Sequence, residues 1–189
     1  MLKKAVQNKD NKYFILLSGE CIPLFNYFET YKKITKSKKS RLNISLEAES
    51  YLNTGLYYAD QWMILNRKCA KLLIKLKETE LGKKFMSAIR QDICIKDDSG
   101  EDSCYCPDEI YPINWFKFNL GNSIYSKEFK KEINDIPTTY TFWDGKMPHP
   151  IRFNSKNLTR KFKKEICDSK ALFARKFTNS TAKEMGLSC

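Results

Sequence analysis

A short apolar run that leads directly into a helix is the feature that most constrains the fold of this chain. Residues 13–17 read YFILL and are followed by Ser18 and Gly19, a pattern that predicts a buried strand. Asn26 stands three residues before Glu29, which is the signature of a capped helix N-terminus. The helix is expected to bury four apolar side chains, those of Phe25, Phe28, Tyr31 and Ile34. A strand joined to a helix in this way predicts an α/β fold.

The rest of the chain continues this alternation of strand and helix patterns. The predicted elements are, in order, an irregular polar segment over 40–60, an extended segment over 61–65, helices from Asn66 and over 80–93, a strand over 138–143, and a basic amphipathic helix marked by Leu158, Phe162 and Ile166. With 189 residues, 42% of them hydrophobic, the chain has the size and composition of one globular domain. We therefore expect residues 1–189 to form a single domain.

Two adjacent carboxylates stand between two prolines. Asp108 and Glu109 are framed by Pro107 and Pro112, each of which lacks a backbone N–H. Because proline also restricts the residue before it, Tyr111 is expected to be extended and the carboxylates to lie at a rigid corner. A fixed carboxylate suits a general base, which must lie within hydrogen-bond reach of a hydroxyl. The alternative is that the two acids merely favour the dipole at a helix N-terminus.

The net charge of +12 is distributed unevenly along the chain. Residues 152–183 contain ten Lys and Arg against two acids, whereas residues 92–109 contain seven acids against one lysine. Arg175 and Lys176 interrupt an apolar run over 171–177. Because a buried cation without a partner is costly, these two residues predict an anionic partner. The alternative is that their long side chains reach water.

The cysteine and histidine content does not predict a metal site. Seven cysteines are present, but the spacing of Cys104 and Cys106 differs from that of a zinc site, and His149 is the one histidine. Cys94 is a possible disulfide partner of Cys104 or of Cys106, and the spacing does not decide between them.

The composition also bears on membranes and nucleic acids. No run approaches the ~20 apolar residues that span a bilayer, and the N-terminus lacks the apolar core of a secretory signal. The sequence therefore predicts a soluble protein and leaves its compartment open. The lysines are not interleaved with aromatic residues in a recurrent module, so a nucleic-acid partner is not expected.

Five segments that occur in order along the chain resemble the Core-2/I-branching family of glycosyltransferases, including its plant relatives. They are FILLSGECIPL over 14–24, QWMILNRK over 61–68, CPDE over 106–109, Trp143 with His149 and Pro150, and LFARKF over 172–177. These segments are similar to the family's LLS-x-x-C-I-P-L, S-Q-W-x-x-L-x-R-K, PDE, W-S…H-P and L-F-A-R-K-F elements. The resemblance covers nearly the whole chain.

The resemblance implies a fold and a reaction. The fold would be a GT-A-like α/β fold. The reaction would transfer a sugar, N-acetylglucosamine or a related one, from a UDP-sugar to a hydroxyl of an acceptor glycan or glycoprotein, with inversion at the anomeric carbon. The resemblance also implies that no metal or other cofactor takes part.

The resemblance also implies roles for individual residues. The glutamate of the DE element is the base in this family, which corresponds to Glu109 here, and Asp108 would raise its proton affinity by like-charge repulsion. Basic side chains bind the donor diphosphate in the family. Lys176 matches one of them directly and lies beside Arg175, and Arg152 is the nearest candidate for the second.

Trp143 matches an aromatic residue that lies against the acceptor sugar in the family, and His149 belongs to the same element. On residue pattern alone, a core tryptophan at a strand end fits Trp143 equally well.

The chain departs from the family on its N-terminal side, where family members have a longer catalytic domain. We therefore expect a GT-A-like fold that is incomplete at its nucleotide-binding side, with an exposed sheet edge at the strand from Tyr13 and no membrane anchor. Either the chain is a truncated reading frame, or a partner chain supplies the missing half. The alternative function is a truncated, non-catalytic remnant that binds a glycan or protein partner.

Overall fold

Strands and helices alternate through the computed structural model, which describes residues 1–45, 55–96, 100, 102–145, 150–154, 156–178, 181 and 189. The helices are α1 (Leu2–Gln7), α2 (Tyr27–Ser37), α3 (Arg67–Glu78), α4 (Glu80–Ile93), α5 (Pro107–Asn119), α6 (Lys127–Glu132) and α7 (Arg160–Asp168). The strands are β1 (Tyr13–Ile15), β2 (Ile22–Pro23), β3 (Ser40–Leu42), β4 (Ile44–Ser45), β5 (Tyr58–Ala59), β6 (Ile64–Asn66), β7 (Cys94–Lys96), β8 (Asp102–Cys104), β9 (Ile133–Asp135), β10 (Thr139–Tyr140) and β11 (Phe173–Ala174). The predicted α/β class is confirmed.

The largest sheet has the strand order β1-β6-β3-β9. β6 pairs antiparallel with both β1 and β3, whereas β3 pairs parallel with β9. Among the described strands, β1 from Tyr13 lies at one end of this sheet and pairs with β6. One core lies between this sheet and helices α3 and α5, where Leu42, Leu65, Ala70 and Phe116 are buried.

The polar segment that was predicted to be irregular contains a buried inner strand, β3. Its polar side chains are buried because each has hydrogen-bonding partners. Ser40 Oγ accepts a hydrogen bond of 3.0 Å from the backbone N–H of Asn66. Arg41 Nη2 donates to the carbonyls of Pro137 and Lys170, at 2.8 and 2.6 Å. The prediction of irregular structure was therefore wrong for residues 40–42, and also for 44–45 and 58–59, which form β4 and β5.

Helix α2 begins where the sequence predicted, but it does not bury the predicted face. The Asn26 side chain accepts a hydrogen bond of 3.0 Å from the N–H of Glu29, which confirms the cap. Ile34 is 6% exposed, whereas Phe28 and Tyr31 are 79% and 59% exposed, so the prediction was wrong for those two rings. The C-terminal half of α2 reaches the core through Ile34, and the rings in its earlier turns lie outside it.

The predicted helices from Asn66 and over 80–93 are confirmed as α3 and α4, which lie very close together. Asn66 caps α3 by accepting from the N–H of Cys69, at 2.9 Å. A Cβ atom at Gly82 would lie 2.2 Å from the carbonyl oxygen of Leu76, so this contact requires glycine. The tight helix pair then packs against α5.

Helix α5 starts at Pro107 and continues through Pro112. The expectation that Tyr111 is extended was therefore wrong. A proline inside a helix costs about 3 kcal/mol, but burying one large apolar side chain contributes about 1.5–3 kcal/mol. The helix buries several such side chains completely or nearly so, namely Ile110, Ile113, Trp115 and Phe116. Their burial outweighs the lost hydrogen bond.

A second sheet, of order β10-β11-β2, positions much of the candidate site. The strand predicted over 138–143 is shorter, since regular pairing covers Thr139–Tyr140. The predicted amphipathic helix is α7, which is capped by Thr159 and buries Ile166. A second core lies beneath this sheet and includes Leu24, Phe153 and Phe177.

Two disulfides reinforce these elements. Cys94 in β7 pairs with Cys104 in β8, which selects one of the two pairings left open by the sequence. Cys167 in α7 pairs with Cys189. None of the helices formed by the described residues is both long enough and apolar enough to cross a membrane.

Candidate active site

Glu109 lies in the first turn of α5 with its side chain buried. It is 6% exposed. The Tyr58 hydroxyl on β5 donates a hydrogen bond to Oε2, and the backbone N–H and side-chain amide of Gln61 lie 3.3 and 3.4 Å from Oε1. A buried carboxylate is costly unless it is hydrogen-bonded. These three donors, which with Glu109 form the Glu109 site, hold it in one position, and no cation among the described residues pairs with it.

Burial and the charge of Glu109 favour the protonated forms of two nearby groups, the phenol of Tyr58 and the carboxyl of Asp60. Burial, followed by the hydrogen bond to Glu109, raises the pKa of Tyr58, so its phenol remains a donor. Burial also raises the pKa of Asp60 to about 6, and the charge of Glu109 adds to this shift. The hydrogen bond of 2.9 Å from Asn43 Nδ2 opposes it. An aspartate with a pKa of about 6 thus lies close to the buried carboxylate of Glu109.

Asp108 occupies the exposed side of the same helical turn. Its predicted effect on the proton affinity of Glu109 stays a prediction. Burial, followed by the charges of Glu109 and Asp108, raises the pKa of the Cys106 thiol. The first turn of α5 therefore carries two adjacent acidic side chains, of which that of Asp108 is exposed and that of Glu109 is buried.

The second group of functional residues is the basic cluster, which consists of Arg152, Arg175 and Lys176. All three contact the carboxylate of Glu20. Glu20 Oε1 pairs with Arg152 Nη2, and Oε2 lies 3.8 Å from Arg175 Nη2 and 3.4 Å from Lys176 Nζ. The side chains of Arg175 and Lys176 are 12% and 23% exposed, so they do not extend freely into water. Their anionic partner is supplied by the chain itself.

The basic cluster keeps an excess of positive charge. Burial raises the pKa of Glu20, but the hydrogen bonds and charges of Lys176 and Arg152 lower it overall, so Glu20 is ionised at neutral pH. One carboxylate against three cations leaves two net positive charges at this position. Such a cluster can bind a further anion, and charge-assisted hydrogen bonds to phosphate are among the strong ones.

Backbone hydrogen bonds bring the members of the basic cluster together from three parts of the chain. The N–H of Arg175 donates to the carbonyl of Tyr140 at 2.9 Å. The N–H of Phe153 donates to the carbonyl of Lys176 at 2.7 Å, and the N–H of Phe177 donates to that of Glu20 at 3.2 Å. The cluster is therefore positioned by strand pairing, although its members are far apart in the sequence.

Two consecutive residues connect the Glu109 site to the basic cluster. Gln61 donates to Glu109, and the ring of Trp62 lies beneath the guanidinium of Arg175, with Cζ 4.0 Å from the ring centroid. Trp62 is 7% exposed, and a cation over a buried ring is held firmly. Adjacent Cα atoms are about 3.8 Å apart. A buried carboxylate and one cation of the basic cluster, Arg175, thus contact the same dipeptide.

The predicted acceptor residues have different outcomes. Trp143 follows β10 and is 52% exposed, so it is not a core residue. An exposed ring of this kind is available to lie against a sugar. His149 lies outside the described residues.

The amino-acid sequence matches the family model of the Core-2/I-Branching enzyme over residues 1–167. The chain belongs to the Core-2/I-branching enzyme family. The comparison with curated proteins found no match.

Membership of the Core-2/I-branching family indicates glycosyltransferase activity, with a sugar donor and a glycan acceptor as substrates. The matched range contains Asp108, Glu109, Trp143 and Arg152. Residues 175 and 176 lie beyond the matched range, so the place of Arg175 and Lys176 in the site rests on their contacts with Glu20.

Sequence reasoning missed several residues of the Core-2/I-branching site. It did not identify Tyr58, Gln61 or Asp60 as neighbours of Glu109, or Glu20 as the partner of the basic cluster. Gln61 and Glu20 do lie in two of the segments that carried the resemblance. That position could have marked them as candidates, but their partners are 48 residues away or more and depend on the fold.

Proposed function

We propose that this protein transfers N-acetylglucosamine, or a related sugar, from a UDP-sugar to a hydroxyl of a glycan acceptor, with inversion at the anomeric carbon and without a metal ion. The observation that carries the proposal is the contact of Gln61 with Glu109 and of Trp62 with Arg175. A base and a set of diphosphate-binding cations must flank one reacting sugar, and this dipeptide contacts Glu109 and one member of the basic cluster, Arg175. A GT-A-like fold is part of the proposal.

In this reaction Glu109 is the general base. The acceptor hydroxyl gives its proton to the Glu109 carboxylate while its oxygen bonds to the anomeric carbon of the donor sugar. The bond between that carbon and the diphosphate oxygen breaks on the opposite face, which inverts the configuration. Tyr58 and Gln61 support the role because they fix the carboxylate. Asp108, in the same helical turn, would assist by raising the proton affinity of Glu109.

The leaving diphosphate would be stabilised by Lys176, Arg175 and Arg152. Negative charge grows on the leaving oxygen as the bond to the sugar breaks, and cations already in place stabilise that charge without further reorganisation. The net positive charge of the basic cluster and the low exposure of Arg175 and Lys176 support this role. Trp143 would pack against the acceptor sugar, and His149 belongs to the same predicted acceptor element.

Isothermal titration calorimetry with UDP, with and without EDTA, tests the proposal. We expect binding that EDTA does not weaken. Lys176→Ala should reduce the affinity at least about tenfold, since a hydrogen bond to a charged group contributes about 1.5–3 kcal/mol. The matched control is Lys164→Ala, because Lys164 pairs with Asp168 on the exposed side of α7.

A folded wild-type chain that fails to bind UDP at millimolar concentration would contradict the proposal. The chain would then be a non-catalytic member of the family that binds a glycan or protein partner. Loss of binding in EDTA would retain the transfer reaction but overturn its independence of metal. If UDP binds only after a second chain is added, that chain completes the donor site.

A further inference from the structure

We propose that Glu20 occupies the anion-binding position of the basic cluster when no donor is bound, and that the donor diphosphate must displace its carboxylate from Arg152, Arg175 and Lys176. This inference rests on the proposed function, since it assigns a regulatory role to a carboxylate within the same donor site. It makes Glu20 a residue that limits the affinity for the donor and for the UDP product.

The contacts of Glu20 support competition with the diphosphate. Both of its oxygens are used: Oε1 by Arg152, and Oε2 by Arg175 and Lys176 at 3.8 and 3.4 Å. A phosphate oxygen would need the same N–H groups. A carboxylate that stayed between them would face a diphosphate of the same sign at contact distance, and like charges placed together are strongly unfavourable.

Two members of the cluster have contacts that do not involve Glu20. The guanidinium of Arg175 lies over the Trp62 ring, with Cζ 4.0 Å from its centroid. The backbone carbonyl of Lys176 accepts a hydrogen bond from Phe153. These contacts remain when the carboxylate leaves, so the Arg175 side chain and the main chain at Lys176 keep their positions.

Glu20 is able to leave without disturbing the fold. Its side chain is 33% exposed, so water is available to the freed carboxylate. Its backbone carbonyl accepts the N–H of Phe177 at 3.2 Å, which keeps the main chain in place while the side chain rotates. A Cβ atom at the adjacent Gly19 would meet no heavy atom within 4 Å, so the neighbouring space is open.

The same exchange would promote release of the product. UDP carries an ionisable phosphate oxygen that is esterified in the UDP-sugar, so cations alone would hold the product more tightly than the substrate. A carboxylate that returns to the cations offsets this difference. The exchange between the Glu20 carboxylate and the diphosphate therefore affects donor binding and UDP release. Glu20 is not a catalytic residue.

Calorimetric titration of Glu20→Gln with UDP and with inorganic pyrophosphate tests the inference. We expect both ligands to bind on the order of tenfold more tightly than to the wild type, because the competing charge is removed. Glu80→Gln is the matched control, since it removes the same charge from an exposed residue that pairs with Lys83. It should bind both ligands as the wild type does.

Equal or weaker binding to Glu20→Gln would overturn the inference, because Glu20 would then align the cations instead of competing for them. If the wild type binds UDP and Lys176→Ala weakens that binding, such a result leaves the proposed function standing. If neither ligand binds to the wild type or to Glu20→Gln, both proposals fail.

A second measurement uses the wild-type chain and does not depend on the folding of Glu20→Gln. The carboxyl carbon of Glu20, labelled with ¹³C and assigned with Glu20→Asp, is followed by NMR during titration with pyrophosphate. We expect its resonance to move at saturation toward that of a solvent-exposed carboxylate. A resonance that stays unchanged while pyrophosphate binds would show that Glu20 is not displaced.

Discussion

The Glu109 site and the basic cluster differ in the sign of the charge that each holds. Glu109 is a buried anion held by neutral donors on Tyr58 and Gln61, so its charge remains available to a proton. The basic cluster gathers three cations around Glu20, so its excess charge remains available to an anion. Glu109 is held by neutral donors, whereas the three cations share one carboxylate. We therefore expect that proton transfer to Glu109 and binding of the diphosphate can be changed separately.

The largest effect is expected for Glu109→Gln, which should separate chemistry from donor binding. Removing a general base reduces turnover by about 10²–10⁴-fold, so we expect the transfer rate to fall about a thousandfold. The affinity for UDP should change less than about threefold, because the basic cluster is untouched. Initial rates of transfer from UDP-N-acetylglucosamine to a glycan array, with calorimetry alongside, measure both quantities. A variant that keeps a tenth of the activity would exclude Glu109 as the base.

The two disulfides should affect the two regions differently. A double Cys94→Ser and Cys104→Ser variant opens a loop with a sequence separation of 10 just before α5. Closing a loop of that length contributes about 2–3 kcal/mol. We expect a lower melting temperature and a larger loss of transfer than of UDP binding. The matched control is Cys167→Ser with Cys189→Ser, whose bridge is attached to α7, and the order of the two losses should reverse. Equal losses in both variants would show that the regions are not independent.

The Glu109 site should also make stability depend on pH. In the unfolded chain the pKa of an aspartate carboxyl is near 3.9. In the folded protein the pKa of Asp60 is about 6. Between these values the folded state binds more protons, so its stability falls as the pH rises, by about 1–3 kcal/mol in total. Asp60→Asn should remove this loss and raise the melting temperature at pH 7.5 but not at pH 4.

The control for that experiment is Asp168→Asn, because Asp168 lies in an exposed pair with Lys164. Its melting temperature should follow the wild type at both pH values. If Asp60→Asn destabilises the protein at pH 7.5, the carboxylate stabilises the folded state and the assignment of the raised pKa is wrong.

The smallest effect is expected for Tyr58→Phe. It removes one of three donors to Glu109, and a typical hydrogen bond contributes about 1 kcal/mol. We expect kcat to fall about fivefold with the UDP affinity unchanged, since Gln61 still holds the carboxylate. Tyr27→Phe is the control because its ring is 74% exposed on α2. A loss as large as that of Glu109→Gln would mean that the phenol takes part in the chemistry.

Features that depend on neighbours in the sequence could be predicted. The caps at Asn26 and Asn66 require a side chain and an N–H three residues later, and both are present. Glu109 at the start of a helix follows from Pro107 in the same way. These interactions are local, so residue type and spacing are sufficient to predict them.

Features that depend on distant partners could not be predicted. The buried strand at Ser40 and Arg41 is polar, and it becomes favourable only because Asn66, Pro137 and Lys170 come from elsewhere in the fold. Glu20 meets Arg152 across a separation of 132 residues. No pattern within either segment indicates the other. The resemblance identified the basic residues, and the fold identified their counter-ion.

Arg41 has a consequence for how the molecule unfolds. Its guanidinium joins the main sheet, through β3, to the carbonyls of Pro137 and Lys170, which lie two residues before β10 and three residues before β11. Opening the small sheet would therefore expose an unpaired cation inside the large one. Native-state hydrogen exchange should find that the amides of both sheets share one opening free energy and respond together to denaturant. The basic cluster would then be protected against local fluctuation by Arg41, a residue outside the cluster.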